Sequence, residues 1–148
     1  MKGITLLELI ISIGIIAFIA AILWGAFLGF RESGRLVEGH TAILGLLRDA
    51  RARTLASELN TTYGVHFETT KSVLFRGMMY NSSDSTNENY VFSPYIKISS
   101  TNLTDGASDV VFTRLEGTTT AFGTITIQST LDASKTKTIT ILSSGTVQ

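Results

Sequence analysis

Leu9-Ile10-Ile11-Ser12-Ile13-Gly14-Ile15-Ile16-Ala17-Phe18-Ile19-Ala20-Ala21-Ile22-Leu23-Trp24-Gly25-Ala26-Phe27-Leu28-Gly29-Phe30 is a run of 22 residues without a charge, and Ser12 is its sole hydroxyl. At roughly 1.5 Å per residue, a helix of that length spans about 33 Å, the thickness of a bilayer's hydrocarbon core. So long a buried core helix does not suit a chain of 148 residues. A secretory signal peptide carries an apolar stretch of about 7 to 15 residues and then a small-residue cleavage site. Here the run is longer, and Arg31-Glu32-Ser33-Gly34-Arg35 leads back into a helical pattern. The run reads as a retained membrane anchor.

Composition changes sharply beyond it. From Thr61 onward, Ser and Thr alone make up about a third of the residues. The length suits one domain, so the chain divides into an apolar anchor and a polar, β-rich head. Lys plus Arg total 12 and Asp plus Glu total 12, a net charge of zero. That balance does not recommend nucleic acid as the main partner. Cysteine is absent, which excludes disulfides, thiol catalysis and Cys-ligated zinc. His40 and His66 are the only histidines, too few for a multi-histidine metal centre.

After the anchor, Leu36, Val37, His40, Ile43, Leu44, Leu47, Ala50, Thr54 and Leu55 recur at steps of three and four. That spacing predicts an amphipathic helix face. No proline interrupts Ile4 to Leu59, so anchor and amphipathic segment read as one helix of some 50 residues. From Thr62 the period changes to two. The expected strands are Tyr63–Glu68, Ser72–Arg76, Tyr90–Ser99, Asp109–Leu115, Gly123–Gln128 and Thr136–Leu142. In the last two, isoleucines 125, 127, 139 and 141 alternate with threonines 124, 126, 138 and 140, as antiparallel strands with one buried face require. Glu68-Thr69-Thr70-Lys71 suits a hairpin loop, and residues 81–89 read as a solvated, mobile loop. The helix's apolar stripe would cover the sheet's inner face, giving an α+β head.

Candidate chemistry is sparse. His40 lies on the apolar helix face as a boundary histidine, and His66, between Val65 and Phe67, points to the opposite face and reads as surface. No serine stands in a Gly-x-Ser-x-Gly setting. Asp105 and Asp109 flank Gly106, but too few spaced oxygen ligands follow for calcium. The three Asn-x-Ser/Thr sequons are expected by chance in so Ser/Thr/Asn-rich a chain. The sequence offers no catalytic constellation, metal site or cofactor site. Arg48, Arg51 and Arg53 form a basic cluster, with Arg48 and Arg51 on one helix face where they would reach successive phosphates. Two or three charges bind nucleic acid weakly, and a solvated helix face accounts for them better.

Glu8 precedes the uncharged run, in Ile4-Thr5-Leu6-Leu7-Glu8-Leu9-Ile10. A carboxylate at membrane depth costs on the order of 2.5 to 3.5 kcal/mol unless it is paired. Two readings stand. Glu8 is either a wet residue at the headgroup boundary or a carboxylate awaiting a cationic partner on assembly.

The start, Met1-Lys2-Gly3-Ile4-Thr5-Leu6-Leu7-Glu8-Leu9-Ile10-Ile11-Ser12-Ile13, resembles the class III signal of type IV pilins and type II secretion pseudopilins. Leu46 to Ala56, with the segments Tyr63–Phe67, Val73–Gly77 and Ile139–Val147, resembles the GspH/FimT group of minor pilins. The resemblance implies a three-residue leader cut by a prepilin peptidase between Gly3 and Ile4, with N-methylation of Ile4. The family's first mature residue is usually Phe, and Ile stands here instead. Glu8 takes the place of the family's assembly glutamate. The expected organisation is leader 1–3, transmembrane and filament-core helix 4–30, amphipathic half 31–59 and β-rich head 60–148, the pilin fold.

What the resemblance implies about function is a non-enzymatic structural subunit, a minor pilin or pseudopilin of a pilus or secretion filament. Its expected partners are other such subunits, the prepilin peptidase, the assembly platform of the inner membrane and, before assembly, lipid. Its expected location is the prokaryotic cytoplasmic membrane with the head outside, then a periplasmic or cell-surface filament. The alternative is a DNA-binding minor pilin of an uptake pilus, using Arg48, Arg51 and Arg53.

Overall fold

A computed structural model describes residues 5–148. The expected leader, its cleavage point at Gly3 and the Ile4 terminus lie outside the described residues. Helix α1 runs unbroken from Leu6 to Leu55. Two compact units divide the chain, Met1–Gly34 and Arg35–Gln148. The amphipathic half of α1 therefore belongs with the strands.

In the first unit, the large apolar side chains described on α1 are exposed, among them Leu6 at 76%, Phe18 at 69% and Phe30 at 79%. It is the one described helix long and apolar enough to cross a membrane. Thr5 caps its start, with Thr5 Oγ1 accepting the Glu8 N–H at 3.2 Å. Thr-x-x-Glu is the sequence form of a capping box, and an acidic residue in the first turn complements the helix dipole.

In the second unit, Leu36, Gly39, Ile43, Leu47, Ala50 and Thr54 form the buried stripe of α1. Their steps of three and four keep them on one face. Val37 and Leu55, expected on that face, are exposed, because each lies one position round the helix from a buried residue. The strands are β1 (Tyr63–Phe67), β2 (Lys71–Arg76), β3 (Glu88–Val91), β4 (Ile96–Leu103), β5 (Asp109–Val111), β6 (Gly123–Ser129) and β7 (Thr136–Ile141). They form two antiparallel sheets, β3-β2-β1-β5 and β4-β6-β7, where a single sheet was expected.

The expected strand Tyr90–Ser99 is the source of that difference. It is broken at Phe92-Ser93-Pro94-Tyr95 into β3 and β4, which lie in different sheets. Pro94 has no N–H for a ladder and restricts Ser93 before it, so the chain turns. The Ile96 N–H closes that turn on the Ser93 carbonyl at 3.0 Å. The strand expected at Asp109–Leu115 likewise stops at Val111. Residues 113–118 fold into a turn instead, with Leu115 at φ 72°.

One hydrophobic cluster joins α1 to both sheets: Leu36, Ile43, Leu47 and Ala50 meet Val65 and Leu74 from one sheet and Ile98, Ile125, Ile127, Ile139 and Ile141 from the other. Ile125 pairs with Ile139 while Thr126 pairs with Thr138, so the alternation read from the sequence is the in-out pattern of β6 and β7. The helix end is tied to β1 through a side chain. The Thr54 hydroxyl donates to the Ala50 carbonyl at 2.8 Å and accepts the Tyr63 N–H at 2.9 Å.

Candidate functional site

Glu8 lies exposed in the first turn of α1, and the Ser12 hydroxyl donates to its carbonyl at 2.7 Å. Its carboxylate is thus on an apolar, exposed helix surface, beside the capped helix start. Gly3 and Ile4, its expected companions, are not among the described residues.

The three arginines do not act together. Arg51 reaches away from the helix surface, its Nε donating to the Gly117 carbonyl at 2.9 Å and its Nη2 to the Ser144 carbonyl at 3.4 Å. Two loops far apart in sequence are thereby pinned to α1. Gly145 is required at that junction. It sits at φ +76°, and a Cβ there would overlap the Gly117 carbonyl oxygen.

Arg53 bonds Asp49 at 3.1 Å and Glu88 at 2.5 Å, and stands 5.8 Å over the Tyr63 ring. These bonds, first that to Glu88, raise its already high pKa and keep it charged. Arg48 is exposed. It edges an open groove of about 390 Å³ that Arg51, Ala52, Leu55 and residues 145–147 also line. Two of the three cations are therefore committed to acceptors within the chain.

His66 is not the surface residue expected. Its side chain is 18% exposed, its Nδ1 is paired with the Asp109 carboxylate and its Nε2 lies 3.8 Å from Glu68. The Tyr80 ring stacks on it at 3.9 Å and leans on Phe75 at 5.6 Å. The segment after β2 thus folds back over the outer face of the sheet and covers what strand alternation had placed in water. This arrangement clamps β1, β5 and that segment together. Among the described residues, no group of three His, Asp or Glu side chains is placed to hold a metal ion.

Sequence reading also passed over two features of the second unit. Arg114 donates to the Asn60 side chain at 2.6 Å and to its carbonyl at 3.2 Å. It thereby holds the left-handed exit from α1, where Ser57, Leu59 and Asn60 all have positive φ. A groove of about 470 Å³ lies between Arg35, Glu38 and Gly39 of α1 and residues 90–96. Burial and the nearby Glu38 carboxylate push the Tyr90 hydroxyl up from its ordinary value. The doubled aromatics around Pro94 were the available signal for that groove.

No protein-family model, curated protein or solved structure matches this chain.

Proposed function

We propose that this chain is a non-enzymatic, membrane-anchored structural subunit whose apolar helix becomes the core of a filament. Within that class, the reading that fits best is a minor pilin or pseudopilin of the GspH/FimT type. The observation that carries it is one continuous helix, Leu6–Leu55, apolar and exposed in its first half and packed on antiparallel strands in its second. A monomer gains nothing from the large apolar side chains exposed between Leu6 and Phe30 unless lipid or neighbouring helices cover them. The motif Gly3-Ile4-Thr5-Leu6-Leu7-Glu8 supplies the processing point and the assembly carboxylate. On this reading cleavage creates an amine on Ile4. Glu8 of one subunit then neutralises that amine on its neighbour, fixing axial register and offsetting the burial of both charges.

Co-expression with a prepilin peptidase tests the reading. Intact mass should give a chain of 145 residues beginning at Ile4, which is 148 less the three of the leader. A product still beginning at Met1 overturns it. Glu8→Leu should insert and be cleaved normally yet fail to enter filaments, because an unpaired buried charge costs about 3 to 5 kcal/mol. Assembly of Glu8→Leu at the parental level would reduce Glu8 to a helix-start residue.

A further inference from the structure

We propose that one end of the head, formed by the β3–β4 turn and the β6–β7 loop, rests on the surface of the bilayer that holds the anchor. The inference rests on the anchor reading above and adds a lipid-contact site to the second unit. Residues 90–96 line a groove with Arg35, Glu38 and Gly39, so the β3–β4 turn lies beside the first turns of α1 in that unit. The β6–β7 loop is fastened to the same turn. The Thr130 N–H donates to the Tyr95 carbonyl at 2.9 Å, and its hydroxyl donates to the Pro94 carbonyl at 3.0 Å. Three apolar side chains protrude there, with Val91 68%, Tyr95 46% and Leu131 70% exposed.

The occupant follows from the covalent chain. Arg35 comes five residues after Phe30, the last of the uncharged run, and five residues span at most about 18 Å. A bilayer surface at the end of that run is therefore within reach of this end of the head. Met78, 80% exposed, is at the far end of the same sheet: β2 begins at Lys71, paired with Val91, and ends at Arg76, just before Gly77 and Met78. A tyrosine flanked by aliphatic side chains suits the headgroup–acyl boundary, where an amphipathic ring has one apolar and one wet side. Charge does not drive the contact. Arg35 is paired with Glu38 at 2.9 Å, and the Asp132 carboxylate stands in the field of Lys135 on the same loop, so the charges at this end offset one another. The contact should therefore form on zwitterionic lipid and persist at high salt.

The chain has no cysteine and one tryptophan, Trp24, so each half can be read separately. Full-length protein would be placed in phosphatidylcholine nanodiscs at one copy per disc. Brominated acyl chains should quench Trp24, reporting the anchor. An environment-sensitive label on Leu131→Cys should be quenched by a spin label at headgroup depth, while the same label on Met78→Cys should not. Adding Tyr95→Asp and Val91→Asp to the Leu131→Cys chain should abolish that quenching, and both changes are at exposed positions. If Trp24 is quenched but the labels at 131 and 78 behave alike, the head contact is wrong and the anchor stands. If Trp24 is not quenched, the anchor reading falls and takes this proposal with it. Quenching at 131 that appears only with several copies per disc would assign the surface to a second copy and overturn the proposal.

Discussion

Arg51 carries its charge to the carbonyls of Gly117 and Ser144, and a side chain so engaged serves the fold rather than a ligand. Its two acceptors lie 66 and 93 residues away in sequence, so helical spacing could pair Arg51 with Arg48 but not with them. Truncation separates the two roles. Arg51→Ala should cost about 1 to 2 kcal/mol, since it leaves the partly buried Gly117 carbonyl without its donor. Arg48→Ala should stay within about 0.5 kcal/mol. Chemical denaturation of the full chain in detergent measures both, and equal losses would show that Arg51 is as idle as Arg48. His66 makes the same point from the other side. Strand alternation read its direction correctly, but its cover comes from Tyr80, placed over it by a loop whose path local sequence does not specify.

At the scale of the element, α1 was the most legible part of the chain. A missing proline, a 22-residue uncharged run and a stripe at three- and four-residue steps are all local signals. The stripe also contains a position that periodicity of apolar residues overlooks. Gly39 is buried, and a Cβ there would overlap Ile96 Cδ1. Gly45, by contrast, has nothing within 4 Å of an added Cβ. Gly45→Ala should raise stability by about 0.5 to 1 kcal/mol through helix propensity alone. Gly39→Leu should lower it by about 1 to 3 kcal/mol through overpacking against β4. Thermal melts of the two variants beside the parent check both signs. The strands were less legible at their ends. Pro94 was visible in the sequence, yet the apolar residues on both sides of it read as one strand, because alternation continues across a turn that the backbone cannot.

The whole molecule responds to pH through the packing of α1 on β7. Burial and the charge of Lys137 hold the His40 imidazole below its usual value, against a hydrogen bond that the ring donates to the Thr138 backbone, which works the other way. The folded chain therefore binds this proton less readily than the unfolded one. Its contribution to stability is complete above about pH 6.5 and is lost as pH falls from there through the lower folded pKa. His40→Gln should flatten that part of the stability profile while leaving the carboxylate region unchanged. A parallel slope in parent and variant just below about pH 6.5 would remove His40 from the account. Asp84, bonded by the Thr86 N–H and hydroxyl, and Asp132, bonded by the Ser134 hydroxyl and N–H, are held below the usual carboxylate range. What they add is present above that range and is lost only when pH falls through their lowered values, well apart from the histidine's window.

The sequence alone determined the long apolar run, the single long helix, the α+β class and the Ile/Thr alternation of β6 and β7, because each depends on residues near one another in the chain. Burial of an apolar face and the period of a helix or strand are properties of a short window. Tertiary structure alone decided that the strands make two sheets, that Arg51 and Arg114 hold loops, that His66 is covered and that Val91, Tyr95 and Leu131 share one exposed end. Each of those depends on which distant segment arrives beside a residue, and that is set by packing the whole core on the α1 stripe.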